Sequence, residues 1–363
     1  MDIKLIGFII ISFTLSLFFA LFLTPRVEKF ALKNKFVDYT DHRKQNINKK
    51  VRVGGIAIFI SYFLSVLITS YFLFNFSDFE IDILKITKLI LVPFLFFSLG
   101  LIDDLKNIKP WPKLFFQLIF SLFLWVIGFR IENLFFILNS DYLYFSLPKL
   151  LSIFFTIIWA TGITNSINWI DGLDGLAIGT VGISFIPIFT INFINQNIEE
   201  TIISIAIIAS CISFLRYNFY PSSLLMGDCG SYLLGINLAL FSMNLGFNNG
   251  LDIKNLTLIN SYIPFLLTLI PLFDMARVIF LRILNKKSPF FPDRLHFHFI
   301  LVDKGFKVYQ SVLIIYVLNF LISLVLLTYQ KVSFPTSLKV FSLVFLVTFL
   351  SIKVPKIKQN KNK

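Results

Sequence analysis

Four short polar clusters interrupt an otherwise apolar chain: IDD at 102–104, NSINWIDGLDGLA at 165–177, MGDCGS at 226–231 and SPFFPDRLHFHFI at 288–300. Adjacent Asp103 and Asp104 cannot share one helix face, and at a helix C-terminus they oppose the dipole. Beside a solvated loop start, such a pair suits metal or phosphate handling, or general-base work. Asn165, Asn168, Asp171 and Asp174 recur every third residue, so on a helix they form one polar stripe. Gly172 and Gly175 permit a backbone break and the close approach of a ligand; the plainer role for Asp171 or Asp174 is to cap the next helix. Asp228 opens an apolar segment, as an N-cap or as a Mg²⁺ ligand, because a hard cation takes oxygen donors and completes its shell with water and phosphate. Arg294 suits a phosphate or carboxylate. His296 and His298, at i and i+2, would point the same way in an extended segment. A zinc site would need further His or Cys partners, and Cys211 and Cys229 give neither metal-ligand spacing nor a disulfide framework. Asp274 and Arg277 are spaced for an ion pair within a helix.

These groups must be held by a membrane protein. The 363 residues are 56% hydrophobic and 15% charged, with 46 Phe, and the mean hydropathy is +0.81; soluble domains run nearer 25% charged. With about 20 apolar residues per span, roughly eleven stretches qualify: 5–24, 54–74, 86–102, 113–130, 149–164, 175–193, 201–217, 229–247, 259–284, 311–328 and 334–352. None alternates as a membrane barrel strand would. The expected fold is all-α: one polytopic helix bundle over 1–352, followed by a basic tail from 353 to 363. The first stretch lacks a small-residue cleavage site and is kept as a span.

If the spans alternate, the odd-numbered loops and the tail hold twenty-five of the 33 lysines and arginines. The positive-inside rule then puts those loops and the C-terminus in the cytoplasm and the N-terminus outside. The net charge of +13 is accounted for by topology, so it does not call for a nucleic-acid partner. Lysine and arginine alone set this orientation, yet all four polar clusters fall on the cytoplasmic face. Carboxylates, amides and histidines gathered there suit diphosphate chemistry, with one substrate in the bilayer and one in water. The basic loop 38–55 reads as solvated, or as an attractor of anionic substrate. A transporter with an acidic relay would place its carboxylates near the midplane instead.

The clusters, their order and the spans resemble the polyprenyl-phosphate N-acetylhexosamine-1-phosphate transferases, and within them the bacterial undecaprenyl-phosphate GlcNAc-1-phosphate transferases. DGLDGLA together with PDRxHxH is the most distinctive part, and the resemblance covers about residues 20–310. It implies transfer of a sugar 1-phosphate, GlcNAc-1-phosphate by default, from a UDP-sugar to undecaprenyl phosphate with release of UMP. This would be the first membrane step of O-antigen or cell-envelope polysaccharide synthesis, at the inner membrane, with a cytoplasmic active site, a Mg²⁺ ion (or Mn²⁺ in its place) and a homodimer as one assembly. UDP-FucNAc, UDP-QuiNAc and the MurNAc-pentapeptide donor are the alternative substrates.

Carried over by motif, Asp228 resembles the principal metal ligand, Asp103 the base on the lipid phosphate and Asp104 its partner. Asn168, Asp171, Asp174 and Lys113 resemble nucleotide and diphosphate contacts; Arg294, His296 and His298 resemble the loop that reads sugar and diphosphate. Two positions depart from the pattern. Phe299 stands where relatives carry a third His, and Leu225 where they often carry an aromatic that stacks on uracil.

Overall fold

A computed structural model describes residues 3–34, 36–38, 50–138, 141–246, 262–291 and 293–328. The last expected span, the basic tail and His42 lie outside the described residues. Ten of the expected apolar stretches coincide with helices: α1 (Ile3–Lys33), α2 (Gly55–Phe76), α3 (Ile83–Lys106), α4 (Pro110–Val126), α5 (Lys149–Ile170), α6 (Leu176–Ile194), α7 (Ile198–Asn218), α8 (Gly227–Gly246), the pair α9 (Ile263–Leu267) and α10 (Leu269–Leu284), and α12 (Val308–Thr328). A short helix, α11 (Phe297–Asp303), precedes α12. Among the described residues, seven helices are long and apolar enough to cross a membrane. The protein is a polytopic helical membrane protein.

The stretch 259–284 does not run as one helix. Pro271 has no N–H to give the carbonyl of Leu267; that carbonyl accepts Ser184 Oγ at 3.0 Å instead, and the helix breaks at Thr268. Two antiparallel hairpins were not anticipated. One pairs β1 (Val37–Asp38) with β2 (Lys50–Val51), and the other pairs β3 (Asn133–Leu138) with β4 (Asp141–Ser146) between α4 and α5.

α8 is the centre of the bundle. It is buried along its length except at Asp228 and Asn244, as an all-round apolar helix must be, and it packs on α2, α3, α5, α6 and α9. Gly100 lets α3 touch it backbone to backbone: a Cβ there would run into the Asp228 carbonyl. The strand-like segment 51–55 is zipped onto 225–226, with Leu225 N–H donating to Val51 O at 2.8 Å and Gly54 and Gly55 N–H donating to Leu225 and Met226 carbonyls at 3.1 and 2.9 Å. The start of α8 is thereby fixed against the end of α3 and the start of α2.

Candidate active site

The last turn of α3 separates the two adjacent aspartates. α3 ends on Asn107 in the left-handed conformation, φ 50°, with its N–H on the Asp103 carbonyl. The Asp103 carboxylate folds back to accept Ile108 N–H at 2.8 Å, and Pro110 starts α4 at once, where its missing N–H costs nothing. The first turn of α4 therefore delivers Lys113 onto Asp103 as an ion pair. Asp104 points the other way. Its two oxygens accept Asp228 N–H at 2.8 Å and Cys229 N–H at 2.9 Å, capping α8 from a different helix.

That external cap frees the Asp228 side chain, so Asp228 is not its own N-cap. Asn168 Nδ2 donates to Asp228 Oδ1 at 3.0 Å and to Ser231 Oγ at 2.9 Å. Lys113 Nζ lies 3.5 Å from Asp228 Oδ2, so one ammonium sits between the Asp103 and Asp228 carboxylates. Arg52 approaches Asp228 Oδ1 at 3.7 Å. Arg52 comes from the basic loop 38–55, whose sequence reads as solvated or as an attractor of anionic substrate and does not single out this arginine.

The stripe at 165–174 is not one wall. α5 ends at Ile170 with Asp171 as its C-cap residue, and a turn follows. Asn165 and Asn168 face the site from the last turns of α5, Asp171 is half-buried at the bend, and Asp174 is turned away. Asp174 holds Lys50 Nζ at 2.8 Å and accepts Ser222 N–H at 3.1 Å, which pins the loop between α7 and α8. Neither aspartate caps α6: the N-cap is Gly175, with no side-chain cap bond.

The histidine loop is anchored by charges buried in α10. Asp274 accepts Phe297 N–H at 2.9 Å and lies 2.8 Å from His296 Nδ1. Arg277 pairs with Asp274 at 3.0 Å and also donates to the Leu295 carbonyl. The expected helix ion pair is present, but it also sets the imidazole: with Nδ1–H donating to the Asp274 carboxylate, Nε2 is the nitrogen left for a ligand. Arg282 grips Asp293 through two bonds of 2.9 and 3.0 Å and lies over the Trp169 ring, 4.9 Å from its centroid. Burial raises the Asp293 pKa, but the Arg282 hydrogen bonds outweigh it and hold the carboxyl below its usual range.

The extended geometry expected for His296 and His298 does not occur. His296 is the N-cap of α11 and His298 lies in its first turn. The His298 ring is fully buried against Gly172, the backbone of the DGLDGLA turn, where a side chain at 172 would collide with it. Neither of its nitrogens has a hydrogen-bond partner among the described residues, and burial pushes its pKa down to about 3. Arg294 lies outward, paired with Asp303 at 2.9 Å and over Phe299, 4.9 Å from the ring centroid.

A cavity of about 340 Å³ opens beside Lys113 and Asn168 and extends past Trp169 to Asp293, His296 and Phe299. Of the expected site residues, Lys113, Asn168 and His296 line it; Asp103, Asp104 and Asp228 lie behind Lys113 and Asn168, and Asp171, Asp174, Arg294 and His298 do not line it. Among the described residues no three His, Cys, Asp or Glu side chains form a complete metal cage. Asp103 and Asp228 are the carboxylates that could hold a hard cation such as Mg²⁺, which takes one or two carboxylates and fills its remaining positions with water and substrate phosphates.

Residues 86–246 match glycosyl transferase family 4. Over 354 residues the chain is 31% identical to a probable undecaprenyl-phosphate N-acetylglucosaminyl 1-phosphate transferase of Bacillus subtilis, covering 95% of this chain and 90% of that one. The chain belongs to glycosyl transferase family 4. It is also 27% identical over 291 residues to the undecaprenyl-phosphate alpha-N-acetylglucosaminyl 1-phosphate transferase of Thermotoga maritima, covering 78% of each. Similarity to a phospho-N-acetylmuramoyl-pentapeptide-transferase of Prochlorococcus marinus is 31% over 204 residues, 53% of this chain and 54% of that one. The family 4 match spans α3 to α8, the helices that carry Asp103, Lys113, Asn168 and Asp228.

Proposed function

We propose that this chain moves a sugar 1-phosphate from a UDP-sugar, UDP-GlcNAc first among them, to undecaprenyl phosphate at the cytoplasmic face of the membrane. The observation that carries the reading is the meeting of Asp103 and Asp228 over Lys113, with Asn168 holding Asp228. The site lies at helix ends beside a cavity, where a lipid-borne phosphate and a water-borne nucleotide can meet.

The reaction is a displacement at phosphorus. An oxygen of the lipid phosphate forms a bond to the β-phosphorus of the UDP-sugar, the bond from that phosphorus to the bridging oxygen breaks, and UMP leaves with the electron pair. Such transfers depend mainly on positioning and charge neutralisation. Lys113 and Arg52 supply fixed positive charge beside the two carboxylates. Asp228, with Asp103 next to it, would hold Mg²⁺, which when bound offsets charge on the diphosphate. Asp103, beside Lys113, would accept a proton from the lipid phosphate. A phosphate monoester has a second pKa of about 6, so at neutral pH much of the substrate needs no such help. Asp104 acts through α8: it sets where Asp228 stands. The product is a lipid-linked sugar diphosphate that later glycosyl transfers could extend.

The test is UMP release from UDP-GlcNAc by the purified protein in detergent or nanodiscs. Release should require both undecaprenyl phosphate and Mg²⁺. Release that ignores the lipid, or none with any UDP-N-acetyl sugar, would refute the assignment.

A further inference from the structure

One turn below Lys113 on α4, Gln117 is buried, 1% exposed, and lines the same cavity. Its orientation is fixed by its neighbour. Asn165 Nδ2 donates to the Thr161 carbonyl at 2.8 Å, which settles which end of the Asn165 amide is nitrogen. That nitrogen also donates to Gln117 Oε1 at 2.7 Å. Gln117 must therefore turn its own NH₂ group elsewhere, and this Nε2 has no partner among the described residues. A buried donor left unpaired is a standing cost that a ligand acceptor would remove.

The surroundings say what kind of acceptor fits. The charged layer of Lys113, Asp103 and Asp228 ends one helical turn above. Gln117 and Asn165 are neutral amides at the next level, Tyr232 beside them is uncharged, and Trp169, Phe291 and Phe299 give the cavity aromatic walls; the charged residues that also line it, Arg282 and Asp293, are paired with each other. Amide donors beside aromatic faces suit a neutral, hydrogen-bonding ring with apolar C–H edges, whereas a phosphate would be held by the cations of the upper layer.

We infer that Gln117 Nε2 donates to the acetamido carbonyl of the donor sugar, and that the Asn165–Gln117 pair selects N-acetylated over plain hexoses. This rests on the transfer reading above. Gln117 is a specificity residue and takes no part in the phosphorus chemistry.

The experiment compares UDP-GlcNAc with UDP-glucose, which lacks the acetamido group, in the full-length protein. Each donor is read by kcat/KM, or by its inhibition constant against UDP-GlcNAc if turnover is too slow. Gln117→Glu keeps an acceptor for Asn165 but removes the donor; Gln117→Leu removes both. In each variant kcat/KM for UDP-GlcNAc should fall by roughly 10- to 100-fold, while the UDP-glucose value stays within about 2-fold and the wild-type preference shrinks accordingly. The Glu variant keeps the test open if the Leu variant does not fold. Equal losses for both donors, or a rise in KM for undecaprenyl phosphate alone, would overturn the inference and assign Gln117 to packing or to the lipid phosphate. A wild type that releases UMP from no UDP-N-acetyl sugar overturns the transfer reading and this inference with it; one that uses another UDP-N-acetyl sugar is compared with its counterpart lacking the acetamido group.

Discussion

Asp104 and Asp228 are joined through the backbone: the Asp104 carboxylate accepts the Asp228 and Cys229 amide hydrogens at 2.8 and 2.9 Å, so the end of α3 caps the start of α8. Both helices present an Asp to the site, and the cap locks their relative position. Replacing Asp104 by Ala leaves two buried amides unpaired. It should cost about 1–3 kcal/mol of stability and most of the turnover, whereas Asn, which keeps one acceptor oxygen, should lose less of both. Thermal unfolding in detergent and UMP release measure the two effects; a fully active, fully stable Asp104→Ala variant would show the cap to be dispensable.

Asp228→Ala should abolish turnover, and EDTA should do the same to the wild type, with Mg²⁺ or Mn²⁺ restoring it. The check is a metal titration of both proteins. Metal-dependent turnover surviving in the variant would remove Asp228 from the ion's coordination.

Asp103→Asn separates a base from a merely electrostatic role by its pH dependence. Near pH 5 about nine-tenths of the lipid phosphate still carries a proton, and the variant should be about 10-fold slower than the wild type. Near pH 8.5 the phosphate is dianionic and the gap should narrow. A gap that stays constant across that range argues that Asp103 works through Lys113 and charge placement instead.

Asp274→Asn should destabilise the protein by about 3–5 kcal/mol, because it leaves the buried Arg277 guanidinium without its anion. It also releases His296 Nδ1. Among molecules that fold, kcat should fall more than the nucleotide KM rises. An unchanged kcat would mean that His296 needs no orientation from below.

His298 gives a pH signature in stability. Its pKa is about 3 in the folded chain, against an ordinary value of 6.5. Between those values the unfolded chain binds a proton that the folded chain does not, so stability is greatest above pH 6.5 and falls as the pH drops towards 3. His298→Gln, which cannot titrate, should flatten the fall in melting temperature between pH 7 and pH 5. Parallel melting curves for the two proteins would show that another group carries the effect.

The sequence by itself determined that this is a helical membrane bundle and that its unusual carboxylates, amides and histidines gather at one face. Hydropathy is a local sum along the chain, and the loop charges order the spans without reference to packing. Partner choice is not local. The DD pair reads as two like acids, but helix rotation sends Asp103 to Lys113 and Asp104 to the α8 amides. The three-residue spacing of 165–174 reads as one stripe, but α5 stops at Ile170 and Asp174 ends up on Lys50. Arg52 reads as an ordinary loop cation until the pairing of 51–55 with 225–226 carries it to Asp228. The tertiary structure decided these assignments because they depend on where helix ends meet. Gly100 and the backbone zipper set those meetings, and neither leaves a periodic trace in the sequence.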